Sequence, residues 1–280
     1  MLLRILVAAL AVSAIVAPSS ASPTASVADI ILSGPALQGG VLQGTAPAGT
    51  VDLRLDGQPV PIDTDGRFLI GFDRDALPQA RLAARFADGR TTDRLIAVSP
   101  GSWRIERVNA PLRAGRSSEA FLALRRSELE QIAAARKKVT GAQGWRQPFK
   151  WPRVGRISGL FGSQRIYQGV PGSYHGGIDI VGATGEPVVA PADGVVILAA
   201  DHPFTLEGRL LMIDHGHGLS SAFLHLSRID VKLGDAVRQG QRIGAVGATG
   251  RATGPHLHWG LRWHEARIDP LRLVGAMPSQ

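Results

Sequence analysis

Residues 234–261 read GDAVRQGQRIGAVGATGRATGPHLHWGL, and the end of this stretch decides the fold class. His256, Leu257 and His258 alternate polar, apolar, polar, which is the period of a β-strand. Imidazoles at i and i+2 then share one face, and Leu257 turns to the other face and into the core. Gly247, Gly250 and Gly254 flank this strand. They supply tight turns between short strands, or a positive φ or close approach of the backbone to a substrate. Working outward, short apolar runs predict strands at 187–199, 209–214, 219–226 and 257–263. Short strands set among abundant Gly (34) and Pro (18) make the chain mainly β.

Seven of the eight histidines lie after position 200 and the eighth is His175, so the candidate chemistry sits in the C-terminal half. His175-Gly-Gly-Ile-Asp179 places an imidazole and a carboxylate at i and i+4. Those positions share a face of a strand, and Gly176-Gly177 together with the Ile178/Ile180 pattern argue against a helix. Imidazole nitrogen and carboxylate oxygen are ordinary Zn²⁺ ligands, and three protein ligands leave the open position that marks a catalytic rather than a structural site. Either motif alone is weak evidence, since isolated His-x-His pairs are common. His264-Glu265 opens like the zinc-protease sequence His-Glu-x-x-His, but position 268 is Ile and that reading fails. His202, His215, His217 and His264 read as structural or surface histidines, with His215 and His217 in an Asp-His-Gly turn.

The N-terminal half has a different character. VDLRL (51–55), RFLIGF (67–72), RLAARF (81–86) and DRLIAV (93–98) alternate with period two. Asp56-Gly57, Asp65-Gly66 and Asp88-Gly89 are turn signals between them. A small β-sandwich over residues 22–100 is expected, with no cluster of chemically useful side chains. A connector over 101–150 follows, with a helix at about 118–138 capped by Ser118. Residues 151–275 form the last domain.

Residues 1–21 read as a signal peptide: Arg4, a short apolar run, then the small residues Ser19-Ser20-Ala21. The apolar run is well below the ~20 residues that span a bilayer, so no stable membrane span is expected after cleavage. There is no Cys, so neither a lipid anchor on cysteine nor a disulfide is available. Net charge is +8, from 31 Lys+Arg and 23 Asp+Glu. Such a surface attracts anionic envelope polymers or membranes. The basic residues are dispersed and not interleaved with aromatics, which argues against nucleic acid as a partner.

The order and spacing of YHGGIDI (174–180), GEPVVAPADGVV (185–196), FLHLS (223–227) and the 234–261 stretch closely resemble the zinc endopeptidases of the lysostaphin and LytM type. WRIERVN (103–109) and the helix after it resemble the N-terminal region of some Gram-negative members. The resemblance implies a compact antiparallel β catalytic domain with a groove. It implies one Zn²⁺ per chain held by His175, Asp179 and His258, with His225 and His256 as the two catalytic histidines that do not bind metal. It implies hydrolysis of amide bonds in the peptide stems or cross-links of peptidoglycan, in the periplasm or cell envelope. Phe223 stands where relatives often carry Tyr, and Tyr167 and Tyr174 are both candidates for a tyrosine near the first ligand. Arg251 and Thr253 are weaker candidates for substrate contact. The competing reading is a catalytically silent activator or wall-binding module on the same fold.

Overall fold

The structure is a computed structural model, and it describes residues 29–112 and 118–278. The signal-peptide reading of 1–21 and the first seven residues of the 22–100 module lie outside the described residues. Among those described, no helix is long and apolar enough to cross a membrane.

The first module holds seven strands: β1 (Ile31–Ser33), β2 (Val41–Thr45), β3 (Thr50–Leu55), β4 (Gln58–Pro59), β5 (Arg67–Gly71), β6 (Gln79–Phe86) and β7 (Thr91–Ala97). They form two sheets, in the orders β1-β2-β5 and β4-β3-β6-β7. Period-two alternation is what lets each sheet bury one face, and Leu53, Phe68, Ile70 and Leu82 are all essentially inaccessible. Asp56 and Gly57, both at positive φ, make the β3–β4 turn whose handedness matches strand twist.

The connector carries β8 (Ile105–Val108) and α1 (Glu119–Arg136). Ser118 caps α1 by accepting from the Phe121 N–H. Its buried stripe, Ile132 and Ala135, packs against Ile197, Phe204, Leu210 and Met212.

The C-terminal part begins with β9 (Ile157–Gly159), β10 (Gln164–Tyr167), β11 (Val170–Pro171), β12 (Ile178–Val181) and β13 (Pro187–Val189). It continues with β14 (Gly194–Ala199), β15 (Arg209–Gly216), β16 (Leu219–Leu226), β17 (Arg228–Ile229), β18 (Ala236–Val237), β19 (Arg242–Ala245), β20 (His256–Trp263) and β21 (Ala266–Ile268). The principal sheet runs β18-β14-β15-β16-β20-β12-β9, with β21 paired to β20. β8 joins the edge of the β10–β11 hairpin in parallel.

The single strand expected at 187–199 is in fact two strands in different sheets. Pro191 and the following Ala-Asp-Gly turn break the valine run, and β13 pairs with β19 while β14 pairs with β15. One apolar core runs through both modules, from Leu42 and Phe68 to Trp259 and Ile268. They meet closely at Gly71, where a Cβ would stand 2.7 Å from the Trp263 Cβ.

Candidate metal centre and active site

β12 and β20 are adjacent and antiparallel, and Asp179 sits directly opposite His258. Ile178, Ile180, Leu257 and Trp259 point to the other face and are wholly buried. The alternation therefore delivers the carboxylate and the imidazole to one side of the sheet. His175 precedes β12 and is held on three sides. Its N–H donates to Ser163 O (2.9 Å), its carbonyl accepts from Gly162 N–H (2.9 Å), and its Nδ1 lies 3.1 Å from Leu160 O. A proton on Nδ1 makes that last contact a hydrogen bond and leaves Nε2 free as a ligand.

Three donor atoms converge. His175 Nε2 lies 3.1 Å from Asp179 Oδ1, His258 Nδ1 lies 2.9 Å from the same oxygen, and the two nitrogens are 3.0 Å apart. The corners of a tetrahedron with ~2.0–2.1 Å bonds are ~3.3 Å apart, so this near-equilateral triangle fits one small cation. Two imidazole nitrogens and a carboxylate oxygen are also the donor chemistry that Zn²⁺ accepts. Burial alone would raise the Asp179 carboxyl, but the hydrogen bonds and charge of His175 and His258 outweigh it and hold the carboxyl well below the usual range. Burial lowers the His258 imidazole, which favours the neutral form a metal requires.

Glycine makes the room. A Cβ on Gly159, in β9, would collide with Asp179 Oδ2 and lie 3.0 Å from His175 Cε1. A Cβ on Gly177 would collide with Trp259 O and lie 2.8 Å from His258 Nε2.

His225 sits in a bulge, because the β15–β16 register shifts between Arg209 and Leu211. Its φ is +64°, the left-handed region that costs a non-glycine residue about 1 kcal/mol or more. Its N–H donates to Glu207 O (2.8 Å), and Nδ1 is 2.9 Å from Thr249 O. His256 Nδ1 is 2.8 Å from Gly254 O. Both imidazoles thus spend Nδ1 on a backbone carbonyl and keep Nε2 for the cleft. Their rings are 4.9 Å apart, and His256 Nε2 is 3.8 Å from Asp179 Oδ1. Burial lowers the His225 pKa, so its imidazole is neutral near pH 7.

The structure therefore brings His175, Asp179, His258, His225 and His256 into one cluster. The other histidines have other partners. His215 lies in strand β15 rather than in a turn, bonded to Asp193 O and Ser221 Oγ. His217 stacks on Trp145. His264 lies under Gly218, and His202 is exposed beside Asp201. Phe223 is buried opposite Trp259, so a hydroxyl there would face the core and not the cleft. The Tyr174 hydroxyl donates to Asp73 Oδ1 (3.1 Å) in the N-terminal module, whereas Tyr167 is half-buried in the β10–β11 hairpin. Of the three glycines singled out in sequence, Gly250 needs positive φ, Gly247 needs close backbone approach to His225 O and Ser227 N, and Gly254 needs neither. Arg251 and Thr253 are exposed. Sequence reasoning missed Glu207 and Thr249, whose backbone carbonyls hold His225 and so leave no side-chain signature of that contact.

Residues 173–270 match Peptidase family M23. A crystal structure from Pseudomonas aeruginosa assigned to peptidase M23 superposes with a TM-score of 0.67 at 31% identity, covering 88% of this chain and 97% of that one. The chain belongs to peptidase family M23. Among curated relatives in that family's region, the peptidoglycan DD-endopeptidase ShyA of Vibrio cholerae is 42% identical over 113 residues, 40% of this chain and 25% of ShyA. The cell division protein DipM of Caulobacter vibrioides is 34% identical over 149 residues, 53% of this chain and 23% of DipM. The M23 match thus spans about a quarter of the length of these relatives.

Proposed function

We propose that this M23 peptidase is an exported, zinc-dependent endopeptidase that hydrolyses amide bonds in the peptide part of peptidoglycan. The observation that carries this reading is the triangle of His175 Nε2, Asp179 Oδ1 and His258 Nδ1, set beside two further imidazoles with free Nε2 atoms. Support for the substrate comes from relatives such as ShyA, named for peptidoglycan endopeptidase activity. Support for export comes from the composition of residues 1–21 and the basic surface. The complete ligand set disfavours a silent activator.

His175, Asp179 and His258 would hold the zinc ion. When bound, zinc supplies Lewis-acid stabilisation of charge and makes water acidic enough to react near neutral pH. His225, kept neutral by burial, takes a proton from the attacking water at Nε2. The water oxygen bonds to the amide carbon, the C–N bond breaks, and the proton passes to the leaving amine. His256, its Nδ1 held by the Gly254 carbonyl and its Nε2 3.8 Å from Asp179 Oδ1, is the second imidazole set beside the reacting amide.

The test is muropeptide release from purified cell wall, read by mass spectrometry. Wild-type protein releases peptides with new amino termini, a chelator stops release, and zinc restores it. Release that survives chelation, or that persists in His175→Ala, overturns the proposal.

A further inference from the structure

His175 lies in a loop gripped from outside the C-terminal domain. Tyr174, its immediate neighbour, donates its hydroxyl to Asp73 Oδ1 at 3.1 Å, across 101 positions of sequence. The other oxygen, Asp73 Oδ2, accepts from the Arg267 N–H at 2.8 Å. Two guanidinium groups lie over the Tyr174 ring, Arg74 at 4.8 Å and Arg267 at 5.0 Å from its centroid. Both geometries are cation–π contacts.

Arg74 reaches the other side of the same loop. Its Nε donates to Gly162 O at 3.0 Å, and one terminal nitrogen donates to Gln164 Oε1 at 3.0 Å. Residues 160–163 are the segment that holds His175 through Leu160 O, the Gly162 N–H and Ser163 O. The Arg74 side chain is only 7% exposed. A buried guanidinium persists only where its donors are satisfied, so its two bonds to the loop fix that loop's position as firmly as they fix the arginine.

We infer that the N-terminal module is a working part of the metal centre, with Asp73 and Arg74 acting as positioning residues that hold the Tyr174–His175 loop so that His175 Nε2 meets Asp179 and His258. Neither is among the three residues whose donor atoms converge. Both lie far upstream of residues 173–270, where the family match falls. The module that sequence read as free of useful chemistry thus supplies the outer support of the first ligand. Outer partners of this kind set ligand orientation, and their loss costs ~10–100-fold in metal affinity.

The inference rests on the zinc reading above, and the experiment separates the two. Zinc dissociation constants are measured on the full chain by competition with a chromophoric chelator. The same proteins loaded with Co²⁺ report ligand geometry through their visible ligand-field bands, and thermal unfolding reports the fold. Tyr174→Phe removes one oxygen and is expected to weaken zinc binding by about 10-fold with altered Co²⁺ bands. Asp73→Asn is expected to weaken it by 10–100-fold. The double variant should match Asp73→Asn within about twofold, because both changes break the same bond. If Asp73→Asn fails to fold, Tyr174→Phe decides alone. Folded variants that bind zinc within about twofold of wild type, or single effects that simply multiply, overturn the inference while leaving the zinc reading intact. Wild-type protein that takes up no zinc removes the zinc reading, and this inference with it.

Discussion

Asp179 and His258 face each other across neighbouring antiparallel strands, with Asp179 Oδ1 2.9 Å from His258 Nδ1. Two of the three proposed ligands are thus fixed by sheet register, the most rigid positioning a β protein offers, and only His175 depends on a loop. A one-residue slip of β12 against β20 would send Asp179 into the core.

The register separates two histidines that look alike in sequence. His258 pairs with Asp179 and His256 with Val181; on the proposed reading His258 binds the metal and His256 does not, so Asp179→Ala and His258→Ala should lose stoichiometric zinc. His256→Ala and His225→Ala should retain it while wall hydrolysis falls by about 10²–10⁴-fold, the usual worth of an acid–base group. Metal analysis beside the muropeptide assay decides this. Zinc lost from His256→Ala but kept in His258→Ala reverses the assignment.

Gly159 faces Asp179 across the β9–β12 pairing, and no side chain fits between them. Gly159→Ala should displace the carboxylate or the His175 ring and weaken zinc binding by at least about 10-fold, in a protein whose far-UV circular dichroism is unchanged. Wild-type affinity in that variant would show that the strand relaxes without cost to the site.

The site was legible because its signals are local. His-x-His at period two needs no knowledge of distant chain to be read as one face of a strand; His and Asp four apart read the same way, but only Asp179 lies in a strand, and His175 precedes β12 in a loop. The support was not legible. Asp73 and Tyr174 are separated by 101 positions, and nothing near Asp73 sets it apart from the other aspartates of its module. The 187–199 run misled for the opposite reason: its two valine pairs, 188–189 and 195–196, signal a strand on both sides of Pro191, and the turn between them inserts only a few residues.

His225 is anchored by α1 through an intermediate. Arg125 pairs with both oxygens of Glu207 at 2.6 and 2.7 Å, Glu128 accepts from the Thr205 N–H and hydroxyl, and the Glu207 carbonyl receives the His225 N–H. Arg125→Ala should lower kcat by about 10-fold through misplacement of the imidazole, with zinc content unchanged. Unfolding should shift down by only a few degrees, since the pair is partly screened by solvent. Unchanged kcat in a destabilised variant would confine the helix to a structural role.

The acid limb of the rate should report His225. Burial moves its pKa below the ordinary 6.5, and the base must be unprotonated to act. Activity should therefore persist below pH 6.5 and fall only as pH drops through the lowered value. The profile of kcat/KM, with zinc occupancy checked at each pH, reads this directly. A limb centred above 6.5 would assign the proton acceptor elsewhere.

Stability should carry a separate pH dependence from His215. This imidazole is wholly buried, bonded to Asp193 O and Ser221 Oγ, and desolvation pushes its pKa down to about 4. In the unfolded chain it takes up a proton near 6.5, whereas in the fold it stays neutral until about 4. Between those values the unfolded state binds more protons, so stability rises with pH across the window. The contribution is complete above pH 6.5 and is lost as pH falls towards 4, to a total of about 3 kcal/mol. Denaturant unfolding of metal-free protein from pH 7.5 to pH 4 measures the slope, and removing the metal keeps ligand protonation out of the binding equilibrium. His215→Gln should flatten the curve relative to wild type, with the two converging at the acid end. Parallel curves for the two proteins would mean that folding leaves the His215 pKa unshifted and that its burial carries no pH-dependent stability.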